Sequence, residues 1–427
     1  MAPVASANRA TPLLDARMAG QEATKPMLEQ AAKDNLFLHF TQHKPLLEGD
    51  LPIIVRAEGH HFWDIDGKKY LDGISSLFSV NAGHGRHELA TAAYEQMRKL
   101  DYFPIWSHAH PTAIELSERI LSYAPKNLTR VFFTSGGGEG NETAWKLAKQ
   151  YFKLQGKPLK HKVLTRSVAY HGTSHGALSL TGIPAMKKAF EPLVPSTFRV
   201  PNTNWYRAQD QFDTEEEFAL WAADRVEEMI LFEDPDTVAA FILEPVQNSG
   251  GCFTAPDIYF KRIREICDKY DVLIVADETI DGFGRCGEMF ASNRYGFEPD
   301  MLVCAKGLTS AYAPLGALLL AEKLLEAGVP PGTISIVPGS GRVLGQLLVT
   351  MVLLLPLNVG WVLWSGPGGE TDYNRRITIA PFDFFSSGSS IGGLLRCNGS
   401  RRDMRSASMR SVKPVPTWPI HSSSPSS

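Results

Sequence analysis

The chain has 427 residues, of which 44% are hydrophobic and 10% aromatic, a composition typical of a globular protein with a large core. Its formal net charge of −3 excludes a general attraction to nucleic acid or anionic lipid and favours a small-molecule ligand. The cysteines form no CxxC pair, which argues against a disulfide framework or a structural zinc site and indicates a reducing compartment. We therefore expect a cytoplasmic protein. The cysteines are Cys252, Cys267, Cys286, Cys304 and Cys397.

The N-terminal part of the chain divides into two segments. Residues 1–35 lack the basic start and apolar core of a secretory signal, and we expect a disordered leader there. Residues 36–73 have the pattern of short strands and turns. Within them, IIVRAEGHHFWDIDGKKYLDG alternates apolar and polar residues across the turn signals EG and DG, which predicts a hairpin.

Residues 74–325 alternate helix-period segments, such as HPTAIELSERILSYA, with brief apolar runs. The runs RVFFTS, TVAAFILEP, VLIVADE and MLVCAK are too short for helices and apolar on both faces. Such runs are typical of parallel strands that helices cover on both sides. We predict an α/β large domain over 74–325 with a mostly parallel central sheet.

Polar or glycine-rich residues follow each of these apolar runs. Ser135 to Glu139 follow RVFFT, Glu244 follows VAAFIL, Asp277 follows VLIVA, and Lys306 follows MLVCA. In a sheet of this kind, ligands bind beyond the carboxyl ends of the strands. The pattern therefore predicts one ligand site that collects these residues.

Lys306 is the only charged residue in VCAKGLTSAYAPLG. It could be a snorkelling lysine at the end of a strand. The alternative is a desolvated lysine whose neutral amine attacks a carbonyl carbon.

The stretch TSGGGEGNETAWKLAKQYFK places three glycines between a strand and a helix. The free N–H groups of such a helix start suit a phosphate, although a glycine-rich turn can also be purely structural. The spacing fits neither GxxxxGK[ST] nor GxGxxG.

Asp277 and Tyr170 are candidates for binding a heterocyclic ring, one at a ring nitrogen and the other at a ring face. A carboxylate directly after a buried strand needs a cation, either Arg285 or a protonated ring nitrogen, unless it caps a helix. Tyr170 in YHG could stack on a ring face or pack in a turn. His171 and His175 are four residues apart, but glycine and serine between them disfavour a helix, and no third ligand is evident, so we expect no metal site.

Together these groups match pyridoxal 5′-phosphate, which needs a phosphate site, a ring face, a partner for the ring nitrogen and an amine for the aldehyde. The sequence resembles the class III, or omega-type, aminotransferases of fold type I over about residues 36–325. The resemblance is carried, in order, by WDIDGKKYLDG, NAGHGR, FFTSGGGEGNETAWKLA, YHG, FILEPVQ, ADETIDGFGRCGEMF and PDMLVCAKGLTSAYAPLG.

The resemblance implies roles for individual residues. Lys306 would bond to the cofactor aldehyde and later move a proton, and Asp277 would keep the ring nitrogen protonated. Tyr170 would cover one ring face, and Glu244 would help arrange the substrate pocket. The phosphate ligands would be Gly137 and Gly138.

The resemblance also implies a homodimer and a substrate side that includes Leu77, Phe78 and Trp106. Five positions depart from the family pattern. Gly138 stands where the family usually has a serine, and Thr279 stands where it usually has the valine beneath the ring. Ile280, Asp281 and Cys286 also replace commoner residues.

Residues 326–427 do not continue the resemblance, and the small C-terminal domain of relatives is missing or replaced. An uncharged apolar run, 343–364, is followed by a serine- and arginine-rich end that we expect to be disordered. Two interpretations remain: a membrane anchor, or a reading-frame change or unremoved intron. We favour the second and expect no membrane association.

The sequence thus predicts a transaminase that moves an amino group from an amine or omega-amino acid to pyruvate or a similar keto acid. One alternative is another pyridoxal-phosphate reaction, catalysed by an aminomutase or a decarboxylase. Another is an inactive remnant of a transaminase. A nicotinamide-dependent dehydrogenase is disfavoured because SGGGEG lacks the Rossmann spacing.

Overall fold

The computed structural model describes residues 12–48, 52–106 and 108–328. The chain divides into two compact units. The described residues of the first are 12–29, 52–106 and 108–328, and those of the second are 30–48.

The described residues form helices and strands in the following order. The helices are α1 Pro12–Met18, α2 Lys25–Asn35, α3 His43–Glu48, α4 Ser75–Phe78, α5 His87–Lys99, α6 Pro111–Leu121, α7 Gly137–Leu154, α8 His175–Leu180, α9 Pro184–Lys187, α10 Glu215–Phe232, α11 Asp257–Lys269, α12 Ala291–Tyr295 and α13 Glu322–Glu326. The strands are β1 Ile54–Glu58, β2 His61–Asp64, β3 Lys69–Leu71, β4 Leu128–Thr134, β5 Lys162–Arg166, β6 Thr197–Val200, β7 Val238–Leu243, β8 Leu273–Asp277, β9 Met301–Cys304 and β10 Gly316–Ala321.

A seven-stranded sheet forms the centre of the first unit, in the order β4-β10-β9-β8-β7-β5-β6. Neighbouring strands from β9 to β6 are parallel, whereas β10 is antiparallel to both β4 and β9. Every residue of β7, β8, β9 and β10 is buried, as expected for strands with apolar side chains on both faces. The predicted α/β fold with a mostly parallel central sheet is confirmed.

A smaller antiparallel sheet, β1-β2-β3, follows the predicted alternation of apolar and polar residues. The turn between β1 and β2 contains Gly59 at a φ of 58°, in the left-handed region that glycine adopts at little cost. Earlier in the 36–73 segment the chain is helical at α3 rather than extended.

The leader predicted to be disordered, residues 1–35, contains α1 and α2 in its described part. Disorder is therefore the wrong prediction for these two segments. Neither helix buries a residue, so good helix formers such as Leu, Met, Ala, Glu and Lys favour them locally without a packed apolar face.

The C-terminal predictions cannot be compared with structure. The apolar run 343–364, the serine- and arginine-rich end and the missing or replaced small domain lie outside the described residues. None of the helices in the described ranges is both long enough and apolar enough to cross a membrane.

Candidate active site

A cavity of about 710 Å³ lies at the carboxyl ends of the parallel strands. Its walls come from the loops that follow β4, β5, β7, β8 and β9, which are the loops where the sequence placed its polar residues. The cavity includes all seven residues that were predicted to bind the cofactor: Gly137, Gly138, Tyr170, Glu244, Asp277, Thr279 and Lys306.

Glycines bring backbone close together at one end of this cavity. A Cβ on Gly137, the first residue of α7, would lie 2.4 Å from the Oγ1 atom of Thr279. A Cβ on Gly172 would lie 2.7 Å from the Cα atom of Gly138, and Gly172 has a φ of +126°. Side chains are therefore excluded at Gly137 and Gly172, and the first N–H groups of α7 can face a bound anion.

Glu139 closes the turn between β4 and α7. Its Oε2 atom accepts hydrogen bonds from the Ser135 N–H at 2.7 Å and from the Ser135 hydroxyl at 2.5 Å. The carboxylate also lies in the first turn of α7, where the helix dipole favours negative charge. These contacts fix the direction in which α7 enters the cavity wall.

Asp277 is the last residue of β8 and is only 3% exposed. Its Oδ2 atom accepts hydrogen bonds from Asn141 at 2.7 Å and from His171 Nδ1 at 2.8 Å, and its Oδ1 atom accepts one from the Thr279 N–H at 3.1 Å. Burial raises the pKa of Asp277, but the hydrogen bonds and the charge of His171 outweigh that effect and hold the pKa below its ordinary value. The carboxyl is thus ionised at neutral pH.

The alternative partner of Asp277, Arg285, is engaged elsewhere. Its guanidinium donates a hydrogen bond to Asn81 Oδ1 at 2.5 Å. Arg285 therefore does not balance the charge of Asp277, and the ion-pair partner of Asp277 among the described residues is His171.

Sequence reasoning missed two residues of this site. His171 was weighed only as a zinc ligand, and Asn141 was not singled out, yet both donate hydrogen bonds to Asp277. The sequence pattern does point to Asn141, because it lies on a face of α7 whose other residues are small or apolar. A buried amide on such a face needs a hydrogen-bond partner. His171 is 106 residues away from Asp277, and no local pattern joins them.

Lys306 follows β9 in a 3₁₀ turn, Lys306–Leu308, and has a φ of 43°. A left-handed conformation costs a non-glycine residue about 1–3 kcal/mol, so the surrounding loop must hold it in place. Within the described part of the chain its ammonium has no hydrogen-bond or ion-pair partner. Burial lowers the pKa of Lys306, although the charges of Asp277 and Glu244 oppose this effect. The neutral amine is therefore more accessible than in a surface lysine.

Glu244 and Tyr170, which both line the cavity, are joined by a hydrogen bond. The Tyr170 N–H donates to Glu244 Oε1 at 2.7 Å. Burial raises the pKa of Glu244 to about 7, against the opposing charge of His171 and with a contribution from the charge of Asp277. Glu244 can consequently exchange a proton near neutral pH.

The three residues expected on the substrate side are not in the described walls of the cavity. Leu77 is 57% exposed and Trp106 is 82% exposed. Leu77 and Phe78 belong to a turn in which four successive non-glycine residues, 75–78, have positive φ. The wall on that side is formed by Ser79, which sequence reasoning did not single out.

Comparison with known proteins identifies a family. Residues 48–339 match the family described as Aminotransferase class-III. The match begins and ends later than the predicted 36–325, but it confirms the resemblance and includes every residue proposed for the cofactor site.

Two curated relatives support this match. The chain is 59% identical over 292 residues to a probable aminotransferase of Mycobacterium tuberculosis, a region that covers 68% of this chain and 62% of the relative. It is 40% identical over 296 residues to the putrescine–pyruvate aminotransferase of Pseudomonas aeruginosa, covering 69% of this chain and 65% of the relative. The chain thus spans less than two thirds of the length of either relative.

Solved structures agree in fold. An (S)-enantioselective omega-transaminase from Thermomicrobium roseum superposes with a TM-score of 0.73 at 38% identity, covering 79% of this chain and 75% of that one. The omega-transaminase from Pseudomonas jessenii, solved in complex with PMP, has a TM-score of 0.72 at 33% identity and covers 78% and 74% of the two chains.

Proposed function

The chain belongs to the class-III aminotransferase family, and on that premise we propose that it is a pyridoxal-phosphate-dependent transaminase. The proposed donor is an amine or omega-amino acid, and the proposed acceptor is pyruvate or a similar keto acid. The names of two relatives, a putrescine–pyruvate aminotransferase and an omega-transaminase, support these substrate classes.

The observation that carries the proposal is the pairing of Asp277 and Lys306 in one cavity. An ionised, hydrogen-bonded carboxylate and a desolvated amine line the same walls as the start of α7. The closely packed glycines leave backbone N–H groups at that helix start, which suits a phosphate. The residues present therefore fit pyridoxal 5′-phosphate.

Each group has a distinct task towards the cofactor. Gly137 and Gly138 bind the phosphate through backbone N–H groups, aided by the positive end of the α7 dipole. Asp277 would hold a proton on the ring nitrogen by hydrogen bond and charge, and Tyr170 would cover a ring face. When bound, the cofactor supplies an electron sink for the bonds around the amino-bearing carbon.

His171 and Asn141 act on the cofactor through Asp277. Their hydrogen bonds to Oδ2 favour the ionised carboxylate and fix its orientation, so that the negative charge faces the ring nitrogen without rotating. They are positioning residues in this proposal. Thr279 contributes through its backbone N–H to Oδ1 and through its side chain, which packs against Gly137.

Lys306 is the residue that would hold the cofactor through its aldehyde and that could move a substrate proton. Its lowered pKa leaves a fraction of the amine unprotonated at neutral pH, as both tasks require. Glu244, which also lines the cavity, is proposed to arrange the substrate and to adjust the charge of the cavity by taking up a proton near pH 7.

Amino-group transfer by the full chain tests this proposal. The protein is loaded with pyridoxal 5′-phosphate and incubated with a diamine or a monoamine together with pyruvate, and alanine is measured. We expect alanine from the native chain and none from Lys306→Ala. The control variant Lys153→Ala changes an exposed lysine of α7 and should form alanine as the native chain does. Carbon dioxide release without alanine would instead identify a decarboxylase, and no turnover with any donor would contradict the transaminase proposal.

A further inference from the structure

Asp281 is a buried carboxyl in the cavity wall that the proposed chemistry has not used. It is 2% exposed, and its Oδ2 atom accepts a hydrogen bond from the Val246 N–H at 2.7 Å. Within the described ranges of the chain its Oδ1 atom has no hydrogen-bond partner. Because Asp281 lines the cavity, Oδ1 is the oxygen left for a bound molecule.

The surroundings of Asp281 favour its neutral form. Burial raises the pKa of Asp281 well above its ordinary value, and the charges of Glu278, Glu244 and Asp277 raise it further. A carboxylic acid held neutral by its site presents an O–H group and can donate a hydrogen bond at neutral pH. The Val246 contact then occupies the carbonyl oxygen, Oδ2, and leaves Oδ1 to carry the proton.

The cofactor offers one ring acceptor that the other residues do not use. Pyridoxal phosphate carries a ring hydroxyl beside its aldehyde carbon, apart from the phosphate and the ring nitrogen. Asp277 serves the ring nitrogen and Lys306 the aldehyde. On the same loop, Ile280 has no side-chain donor, and the Thr279 hydroxyl, which has no hydrogen-bond partner among the described residues, lies against Gly137 at the phosphate end of the cavity. Among the cavity-lining residues of this loop, Asp281 is the remaining side-chain donor.

We propose that Asp281 acts as a neutral acid and donates a hydrogen bond from Oδ1 to the ring hydroxyl oxygen of bound pyridoxal phosphate. This inference rests on the proposed function, since it requires the cofactor. A donor at that oxygen stabilises negative charge there. The nitrogen that joins Lys306 to the cofactor therefore releases its proton at lower pH than it would without Asp281.

The test compares the full-length native chain with Asp281→Ala and Asp281→Asn, each loaded with pyridoxal 5′-phosphate. The visible absorbance of the bound cofactor is recorded against pH. Removing a charge-assisted hydrogen bond moves the midpoint upward by about one pH unit in Asp281→Ala. Asparagine keeps an acceptor for the Val246 N–H and a donor for the cofactor, so the midpoint of Asp281→Asn stays close to the native value.

The direction of the shift separates the two charge states of Asp281. An ionised carboxylate would favour the protonated nitrogen, so its removal would lower the midpoint in both variants, and that result would overturn the proposal. Unchanged midpoints in both variants would overturn it as well. If Asp281→Ala fails to fold, Asp281→Val, which also lacks a donor, takes its place and carries the same expectation of a raised midpoint.

Other titrating groups near Asp281 are common to all three proteins, and their effects cancel in the comparison. They come from every element around the carboxyl: Asp277, Glu278, Arg285 and Cys286, with Glu244 and Cys252 after β7, Tyr295 of α12 and Lys306 after β9. Failure of the proposed function is distinguishable: a native chain that retains no absorbance band after unbound cofactor is removed does not bind the cofactor, and a band without alanine formation rejects amino transfer alone. A native band with unmoved variant midpoints rejects the role of Asp281 alone.

Discussion

At the scale of single residues, the site combines one carboxyl whose pKa is lowered, Asp277, with two whose pKa values are raised, Glu244 and Asp281. Asp277 has three hydrogen-bond donors, which keep its pKa low despite burial. Glu244 and Asp281 have one donor each among the described residues, and burial raises the pKa of both. The number of donors does not decide the charge state alone, because Glu278 also accepts three hydrogen bonds and burial still raises its pKa to about 7. Asp277 has in addition the charge of His171, which lowers its pKa.

The stability of the cofactor-free protein should report the buried Glu244. Its pKa rises from an ordinary 4.5 to about 7, so the folded protein binds this proton more tightly than the unfolded chain. The stabilising effect of the proton is complete below pH 4.5 and is lost as the pH rises through 7. Glu244→Gln cannot ionise and should gain up to about 3 kcal/mol in unfolding free energy, relative to the native chain, between pH 4.5 and 8.

Urea unfolding of the two cofactor-free proteins at pH 4.5 and pH 8 measures this gain. Glu95→Gln is a control, because Glu95 is exposed on α5. A stability difference between Glu244→Gln and the native chain that does not change with pH would show that Glu244 is not held neutral.

At the scale of elements, α7 connects phosphate binding to the central sheet. Gly137 packs against Thr279 of the β8 loop, and Asn141, one turn later, holds Asp277. The same helix therefore positions the phosphate site and the partner of the ring nitrogen. A shift of its first turn should disturb both.

Two neighbouring glycines of α7 should respond differently to alanine. In Gly137→Ala the new methyl meets Thr279 Oγ1 at 2.4 Å, so helix or loop must move, and we expect cofactor affinity to fall about tenfold or more. In Gly138→Ala the nearest atom is 3.6 Å away, an ordinary contact, and affinity should change little. Fluorescence titration with pyridoxal 5′-phosphate compares the two. Equal losses in both variants would argue against this account of the helix start.

Several strands, and the polar residues at their ends, could be predicted from the sequence. Strands β7, β8 and β9 were predicted because wholly buried parallel strands have continuous apolar runs, VAAFIL, LIVA and MLVC. Lys306, Asp277 and Glu244 were predicted because a polar residue at the end of such a run is conspicuous. The insertion of antiparallel β10 between β4 and β9 has no local signal, since pairing partners are distant in sequence.

Side-chain partners were harder to predict than positions. Arg285 and Asp277 are close in sequence and opposite in charge, yet Arg285 donates to Asn81, which is 204 residues away. His171 donates to Asp277 because the loops after β5 and β8 meet at the sheet edge, although β7 lies between the two strands. Such contacts depend on strand order, which periodicity does not encode.

At the scale of the whole molecule, the homodimer remains a prediction. The segment from Tyr102 to Trp106 exposes four large apolar side chains, at Tyr102, Phe103, Ile105 and Trp106. Clustered exposed aromatic residues are typical of surfaces that another chain covers. We expect this segment to contribute to the dimer contact.

Light scattering should give a mass twice the chain's 47.0 kDa. The double variant Phe103→Glu, Trp106→Glu should shift the protein towards monomer, because two carboxylates would be buried without partners. Phe232→Glu changes an equally exposed aromatic residue on α10 and should leave the dimer intact. A native chain that is monomeric at all concentrations would contradict the dimer.

The account as a whole depends on Lys306 being the amine that bonds to the cofactor beside an ionised Asp277. Reducing the cofactor-loaded native chain with borohydride and mapping its peptides by mass spectrometry tests this most directly. We predict a single pyridoxyl group on the peptide that contains Lys306, with much less label in Asp277→Ala and none at this position in Lys306→Ala. A native chain labelled on other lysines only, or not labelled at all, would contradict the account.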